Sequence, residues 1–372
     1  MGVEVETLKT IPIAAPQIGD EERRAVMAVL DSGQLAQGPV VAEFEREFAS
    51  WCGVEHALAV NSGTAALHLL MLAYGVKEGD EVITSPFTFI ASANAALFVG
   101  ARPVFVDIEP ETYCLDPEKL EAAITPRTRV IMPVDLYGHP AALAELREIA
   151  DRRGVILIED ACQAHGAAIG GAKAGGLGVS ATFSFYPTKN ITTGEGGMVT
   201  TPDADVAKKV DMLRQHGAAQ RYHHDLLGYN FRLTDIAAAI GREQLKKVDR
   251  WNEARRRNAS LLDEGLAGTA GIKTPRERPG YRHAYHQYTI LVAGDRDRFQ
   301  AGLRELGVGT AVHYAVPVHR QPLYVNLGYG SVSMPVAEHA AAHVLSLPVH
   351  PGLSESDLDR VVDAVRKVAS TA

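Results

Sequence analysis

The sequence predicts an α/β protein: a mostly parallel central sheet covered by helices, followed by a smaller C-terminal α+β domain. Three observations lead there. Short apolar runs alternate with amphipathic segments over most of the first 250 residues, the pattern of a sheet built through crossover helices. Several of these runs end in turns of glycine and small polar residues, where open α/β sheets place their chemistry. Near residue 235 the alternation gives way to one long helical pattern and a shorter mixed segment. At 372 residues, 46% hydrophobic and 22% charged, the chain has the composition of a large domain plus a smaller one.

Taken in order, residues 1–20 read as an N-terminal arm docked on the main body, 21–250 as the large domain and 251–372 as the small one. The run 56–60 is strand-like and 64–72 helical. The runs 81–84, 103–106, 129–134, 155–158, 182–185 and 197–200 are short, apolar and bounded by turns, which predicts strands. Helical segments at 116–123 and 141–153 fall between them. Residues 235–258 predict one long helix, with Ile236, Ala239, Ile240, Leu245 and Val248 at helical spacing. Its run Arg255-Arg-Arg257 reads as a solvated face. The stretches 286–292, 298–306 and 310–314 suggest a small α+β domain, and a last helix spans 355–369.

A formal net charge of -8 argues against a general nucleic-acid or membrane-surface binder. Cys52, Cys114 and Cys162 form no C-x-x-C pair, so they predict packing in a reducing compartment, not a disulfide framework. The N-terminus has Glu4, Glu6 and Lys9 and no apolar h-region. The apolar-rich stretch 91–101 is too short to span a bilayer. The expectation is a cytoplasmic protein that binds neither nucleic acid nor membrane. No metal site is expected either: His223 and His224, or His283 and His286, lack a convincing third ligand. Gly176-Leu-Gly-Val-Ser-Ala181 matches G-x-G-x-x-A formally. It follows a loop and leads into a strand, so it is no dinucleotide fingerprint.

Three constellations can carry chemistry. In Val60-Asn-Ser-Gly-Thr64 a strand enters a helix through small residues. Free N–H groups at a helix start favour an anion, and Gly63 lets the backbone approach it. An ordinary helix capped by Ser62 or Thr64 fits the same residues. In Val155-Ile-Leu-Ile-Glu-Asp160 an apolar strand ends in carboxylates. Asp160 there can hold a cation such as a protonated ring nitrogen, or cap the next turn. In Phe183-Ser-Phe-Tyr-Pro-Thr-Lys189 a lysine sits between a strand and the glycine-rich turn Gly194-Glu-Gly-Gly197. A desolvated lysine can form a Schiff base with a carbonyl. A solvated surface lysine is the plain alternative. A phosphate cradle, a buried Asp and a pocket lysine together are the fixtures that pyridoxal 5'-phosphate needs.

These pieces resemble a known family. Asn61-Ser-Gly-Thr-Ala-Ala-Leu-His68, Pro86-Phe-Thr-Phe-Ile-Ala-Ser-Ala-Asn94, Glu159-Asp-Ala-Cys-Gln-Ala-His-Gly166, Phe183-Ser-Phe-Tyr-Pro-Thr-Lys-Asn190 and Gly228-Tyr-Asn-Phe-Arg232 are similar to motifs of the DegT-type (DegT/DnrJ/StrS) sugar aminotransferases. These are fold type I pyridoxal-phosphate enzymes, and the resemblance covers nearly the whole chain. It implies that Lys189 is the Schiff-base lysine, that Asp160 pairs with the ring nitrogen and that Gln163 lies near the ring hydroxyl. Phe89 falls where the family stacks an aromatic on the ring, and Gly63, Thr64 and Ser184 fall at phosphate positions. Asn230 matches a residue reaching the phosphate from a second subunit, which implies a homodimer with composite sites. Glu195 and its neighbouring glycines would shape the turn beside the sugar.

The resemblance also implies the reaction. An amino acid, by family analogy glutamate, donates its amine to a ketosugar linked to a nucleoside diphosphate, as in amino-sugar and polysaccharide biosynthesis. The segment Gly307-Val-Gly-Thr-Ala-Val-His-Tyr314, with Pro317 and His319-Arg-Gln321, looks closer to 3-keto than to many 4-keto members. Arg232, His313, Tyr314 and Arg320 are the candidate substrate contacts. Family members with His in place of the lysine are dehydratases, whereas this chain has Lys189. The competing readings are a sugar dehydratase or eliminase of the same fold, and a non-catalytic regulator.

Overall fold

The computed structural model describes residues 10–220 and 222–371. Strands β1 (His56–Val60), β2 (Glu81–Thr84), β3 (Arg102–Phe105), β4 (Thr128–Met132), β5 (Ile156–Asp160), β6 (Ser180–Ser184) and β7 (Gly197–Thr201) form one seven-stranded sheet in the order β1-β7-β6-β5-β4-β2-β3. From β6 to β3 the pairings are parallel. Only β7 runs against its neighbours, antiparallel to both β1 and β6. Helices on both faces bury whole strands, β2 and β7 at every residue, so the strands read as continuous apolar runs rather than alternating ones.

The period of two decides which side chains reach the site. In β6, Phe183 is fully buried and packs edge-on against Phe48, ring centroids 5.0 Å apart. Phe185, beyond the strand end, packs in turn on Phe44 and Phe48. Between them Ser184 points to the other face. The helix Gly63–Ala73 follows β1, capped by Ser62, whose Oγ accepts from the Ala65 N–H at 3.1 Å. Its apolar residues are buried on all sides because it packs between β7 and the helices Ala91–Leu97 and Ala204–Arg214.

A second, antiparallel sheet of Ile272–Lys273, Tyr288–Val292 and Val344–Leu347 carries the C-terminal part. The helices Arg296–Glu305 and Glu355–Ala369 cover it. The helix Val248–Leu266 begins in the core of the large sheet with Val248 and Trp251 and ends in that of the small one with Ala259, Leu262 and Leu266. Residues 1–9 of the predicted arm lie outside the described residues. Its described part docks: Ile11 bridges to Val308, and the Pro12 carbonyl lies 3.2 Å from His350 Nε2.

Two expectations change. The long helix at 235–258 is two helices, Asp235–Leu245 and Val248–Leu266. The break falls at Lys247, whose Nζ is drawn 2.7 Å from the buried carboxylate of Glu22. Arg255 is not on a solvated face: it is buried, and its Nη1 donates to the carbonyls of Tyr285 and His286 at 3.1 and 3.4 Å. Residues 310–314 are not a strand. Only Val308 and Ala311 make isolated bridges, and the chain then turns toward the cavity described below. The helices Asp20–Ser32, Pro39–Cys52 and Ala204–Arg214 fill stretches whose residue pattern predicts no clear element. Among the described residues no helix is long and apolar enough to cross a membrane.

Candidate active site

A cavity of about 550 Å³ opens at the carboxyl ends of the parallel strands, where open α/β sheets bind ligands. β1 delivers Ser62, Gly63 and Thr64 to it. β5 delivers Asp160, then Cys162 and Gln163, and β6 delivers Ser184 and, after a turn, Lys189. The Pro86–Asn94 stretch adds Phe89 and Ser92, and the C-terminal part adds His286, Gln287, His313 and Tyr314.

Close packing explains the glycine at the helix start. A Cβ on Gly63 would lie 2.8 Å from Ser184 Cβ and 3.1 Å from Cys162 Sγ. Only glycine lets the helix N-terminus close against the end of β6. The first N–H groups of that helix, with the hydroxyls of Thr64 and Ser184, make a donor-rich corner of the kind that holds a phosphate.

Asp160 is buried at the floor. Its Oδ2 accepts from Ser92 Oγ at 2.7 Å and its Oδ1 from the Cys162 N–H at 3.2 Å. Ser92 leans in turn on Thr88, Oγ to Oγ1 at 3.0 Å. A carboxylate so bonded keeps spare lone pairs for a cationic partner. Lys189 lies half-buried in the wall. Desolvation lowers its pKa below the usual lysine range, while Cys162 and Asp160 pull the other way. The histidines around it carry no charge at neutral pH. Burial, reinforced by Lys189, pushes His313 down to about 4 and His286 well below its ordinary value.

The opposite wall is aromatic. Phe89 is 55% exposed, and its ring lies 6.2 Å from that of Tyr314. The Tyr314 hydroxyl accepts from Gln163 Nε2 at 3.1 Å, and Gln163 Oε1 accepts from the Tyr137 N–H at 2.9 Å. Gln163 is thereby held from both ends.

The scan against protein families matches this chain to the DegT/DnrJ/EryC1/StrS aminotransferase family over residues 16–366. The chain belongs to that family. It is 43% identical to the dTDP-3-amino-3,4,6-trideoxy-alpha-D-glucose transaminase of Streptomyces venezuelae, over 96% of this chain and 94% of the relative. It is 42% identical to the GDP-perosamine synthase of Caulobacter vibrioides, over 97% and 99%. Among solved structures, S. venezuelae DesV in complex with a ketimine intermediate is similar with a TM-score of 0.92 and 44% identity, covering 94% of each chain. The protein is thus an aminotransferase, and its cofactor is pyridoxal 5'-phosphate.

The residues present fit that cofactor. The crowding at Gly63 leaves a backbone-lined corner for its phosphate, and Asp160 and Lys189 face the same cavity. In this member of the DegT/DnrJ/EryC1/StrS family the cavity gathers Gly63, Thr64, Phe89, Asp160, Gln163, Ser184, Lys189, His313 and Tyr314. Three predicted residues stay outside it. Asn230 is exposed, and its Oδ1 accepts from Arg232 Nε at 3.2 Å. Both flank β1, where the Asn61 N–H donates to the Phe231 carbonyl. Arg320 is tied to the Gly330 carbonyl at 2.6 Å and to Glu338 Oε1 at 2.9 Å.

Sequence reasoning passed over Ser92, Cys162, His286 and Gln287. Ser92 and Cys162 lie inside motifs quoted for other residues, and their spacing, three residues after Phe89 and two after Asp160, was a usable signal. His286 had only its unproductive pairing with His283. Nothing local marks it, because a distant part of the chain brings it to the cavity.

Proposed function

We propose that the protein moves an amino group from an amino acid, L-glutamate, to the C3 or C4 keto carbon of a nucleoside-diphosphate sugar. The observation that carries this reading is Lys189: a desolvated amine in the wall of a cavity that also holds Asp160. When bound, pyridoxal phosphate supplies an electron sink that holds the amino group between two substrates.

The chain's own residues do the rest. Asp160 presents a fixed negative charge to the ring nitrogen. Its bonds from Ser92 and Cys162 hold it in place without neutralising it. Lys189 Nζ takes a proton from the substrate carbon and returns it, a task suited to an amine whose pKa is lowered toward neutrality. Gly63, Thr64 and Ser184 seat the phosphate. Phe89 and Tyr314 cover the ring and exclude water, and Gln163 orients the ring hydroxyl. His313, neutral at working pH, offers the sugar a hydrogen bond without a charge.

The similarity to a dTDP-3-amino sugar transaminase supports a nucleotide-linked sugar as acceptor, and amination at C3. The GDP-perosamine synthase relative, about equally similar, leaves the nucleotide base open. A homodimer completes the site in this reading. In support, Asn230 lies outside the cavity of its own chain, three residues after Leu227, which is 84% exposed. Arg232 serves the diphosphate across that interface. Unpaired Cys52, Cys114 and Cys162 suit a cytoplasmic enzyme.

Incubating the purified enzyme with glutamate and a panel of 3-keto and 4-keto nucleotide sugars tests this. Amine incorporation without loss of water is expected. Dehydration of the sugar, or no amine in any product, overturns it.

A further inference from the structure

Asp135 and Glu159 are both fully buried, directly behind the cofactor floor. Glu159 precedes Asp160 on β5, and the strand period sends the two side chains to opposite faces. Asp135 lies just past the end of β4, and its N–H donates to the Asp160 carbonyl at 3.0 Å. The two carboxyl groups face each other side chain to side chain. Each has one oxygen with a backbone partner: Asp135 Oδ1 accepts from the Ala141 N–H and Glu159 Oε2 from the Gly175 N–H, both at 2.8 Å. The other two oxygens, Asp135 Oδ2 and Glu159 Oε1, are buried with no donor.

Two ionised carboxylates cannot stay in contact in such a place without a cation, and among the described residues none reaches them. Arg147 acts on Glu159 from a distance, its own guanidinium being bonded to the carbonyls of Leu177 and Gly178. The other titratable groups that bear on the pair are Asp160 and the thiols of Cys52 and Cys114, and none of them relieves it. Burial, together with the neighbouring Glu159, pushes the Asp135 carboxyl well above the usual range; burial also raises that of Glu159, which the hydrogen bond to Asp135 pulls the other way.

We propose that Asp135 and Glu159 share a single proton between Oδ2 and Oε1, and that this hydrogen bond positions the cofactor floor. The bond ties β5 to the turn Asp135–Gly138. That turn is strained, with Tyr137 in the left-handed region at φ 59°. It is also the turn whose Tyr137 N–H holds Gln163 Oε1. One proton thus fixes two residues of the cavity: Asp160 through the backbone and Gln163 through Tyr137. The pair keeps one net negative charge behind Asp160, which favours a cation at the front of it. Asp135 and Glu159 touch no ligand and act only as positioning residues. The inference rests on the placement of the cofactor over Asp160 proposed above.

Infrared spectroscopy of the loaded enzyme, with Asp135→Asn and Glu159→Gln, tests it. Each amide variant keeps a donor opposite a carboxylate and keeps the net charge. The wild type is expected to show the carbonyl band of an un-ionised buried carboxyl at neutral pH, and both amide variants to lose it. Cofactor affinity, followed by quenching of tryptophan fluorescence, should stay within about threefold in both. Glu159→Ala, which removes the bond, should weaken it by about tenfold or more. Absence of the band in wild type overturns the shared proton, as does an affinity loss in both amide variants as large as in Glu159→Ala. A band with full affinity in Glu159→Ala overturns the positioning role. If Glu159→Ala does not fold, the band and the amide variants decide. The band belongs to the protein alone, so it judges the pair even if the cofactor lies elsewhere. A cofactor affinity and spectrum unchanged by Asp160→Asn would instead refute the placement over Asp160.

Discussion

The cavity floor lies at the ends of the central strands β5 and β6, whereas the segment 216–232 borders the edge strand β1, and the two are built differently. The floor is made within one chain. Strand ends fix Asp160 and Ser184, a capped helix fixes Gly63, and Asp160 is held by a buried hydrogen bond of 2.7 Å from Ser92. The segment passes through the exposed Leu226 and Leu227 and then carries Asn230 and Arg232 along the end of β1. A region that completes its own contacts can be disturbed only by changing its residues. A region with exposed apolar side chains and polar groups aligned to no cavity of its own needs a second surface to act on.

The largest effect expected belongs to the floor. Lys189→Ala should lower kcat by about 10⁴-fold or more, since in the proposed function it removes both the covalent anchor and the base. Circular dichroism should show the fold intact, and the visible absorbance of the bound cofactor should be lost. Retention of substantial turnover would break the comparison at its strong end.

Gly63→Ala comes next. The added Cβ meets Ser184 Cβ at 2.8 Å, and overpacking of this kind destabilises by about 1–3 kcal/mol. Denaturant midpoints should fall accordingly, and cofactor titration should weaken by about tenfold. An alanine tolerated in both measurements would mean that the corner is not a cradle.

Asn230→Ala separates the two regions. If the segment serves a neighbouring subunit, cofactor affinity falls by about tenfold. Mixing this variant with Lys189→Ala then restores part of the activity, because one of the two mixed sites has both residues. No recovery in the mixture would place Asn230 within its own chain's site, or in none.

The smallest effect on activity belongs to Arg320, and a separate one on stability is pH-linked. Arg320 is held by Glu338 and Gly330, so Arg320→Met should cost about 1 kcal/mol of stability and leave KM for the sugar nucleotide within about twofold. A large KM increase would return Arg320 to the substrate. His313 and His165 have pKa values pushed down by burial to about 4 and about 3. The unfolded chain therefore binds more protons than the folded one below an unperturbed histidine pKa of about 6.5. Stability present above that pH should fall as pH drops toward 4, by up to about 1.4 kcal/mol per pH unit for each histidine. Denaturation midpoints measured between pH 7 and 4 check the sign, and a flat profile contradicts it.

The two regions also differ in how legible they were in the sequence. Gly63, Asp160, Ser184 and Lys189 stand at strand ends, where an apolar run stopping at a small or charged residue marks the place. The parallel sheet was legible for the same reason. Arg255 was not: three consecutive arginines on a helix look solvated, and only the carbonyls of Tyr285 and His286, contributed by another segment, explain its burial. His286 and the shared contact of Asp135 with Glu159 escaped similarly, since strand neighbours are far apart in the chain. The break of the one long helix falls at Lys247, whose partner Glu22 is remote in sequence.

The central claim is amino transfer at Lys189 onto a nucleotide-linked ketosugar. Glutamate labelled with ¹⁵N at its amine, incubated with the enzyme and a 3-keto or 4-keto sugar nucleotide, tests it most directly by mass spectrometry of the sugar product. The account predicts one ¹⁵N in the amino sugar, no loss of water beyond the ketone oxygen, and no product with Lys189→Ala. Labelled glutamate left unreacted with every ketosugar, or a dehydrated product without ¹⁵N, would contradict it.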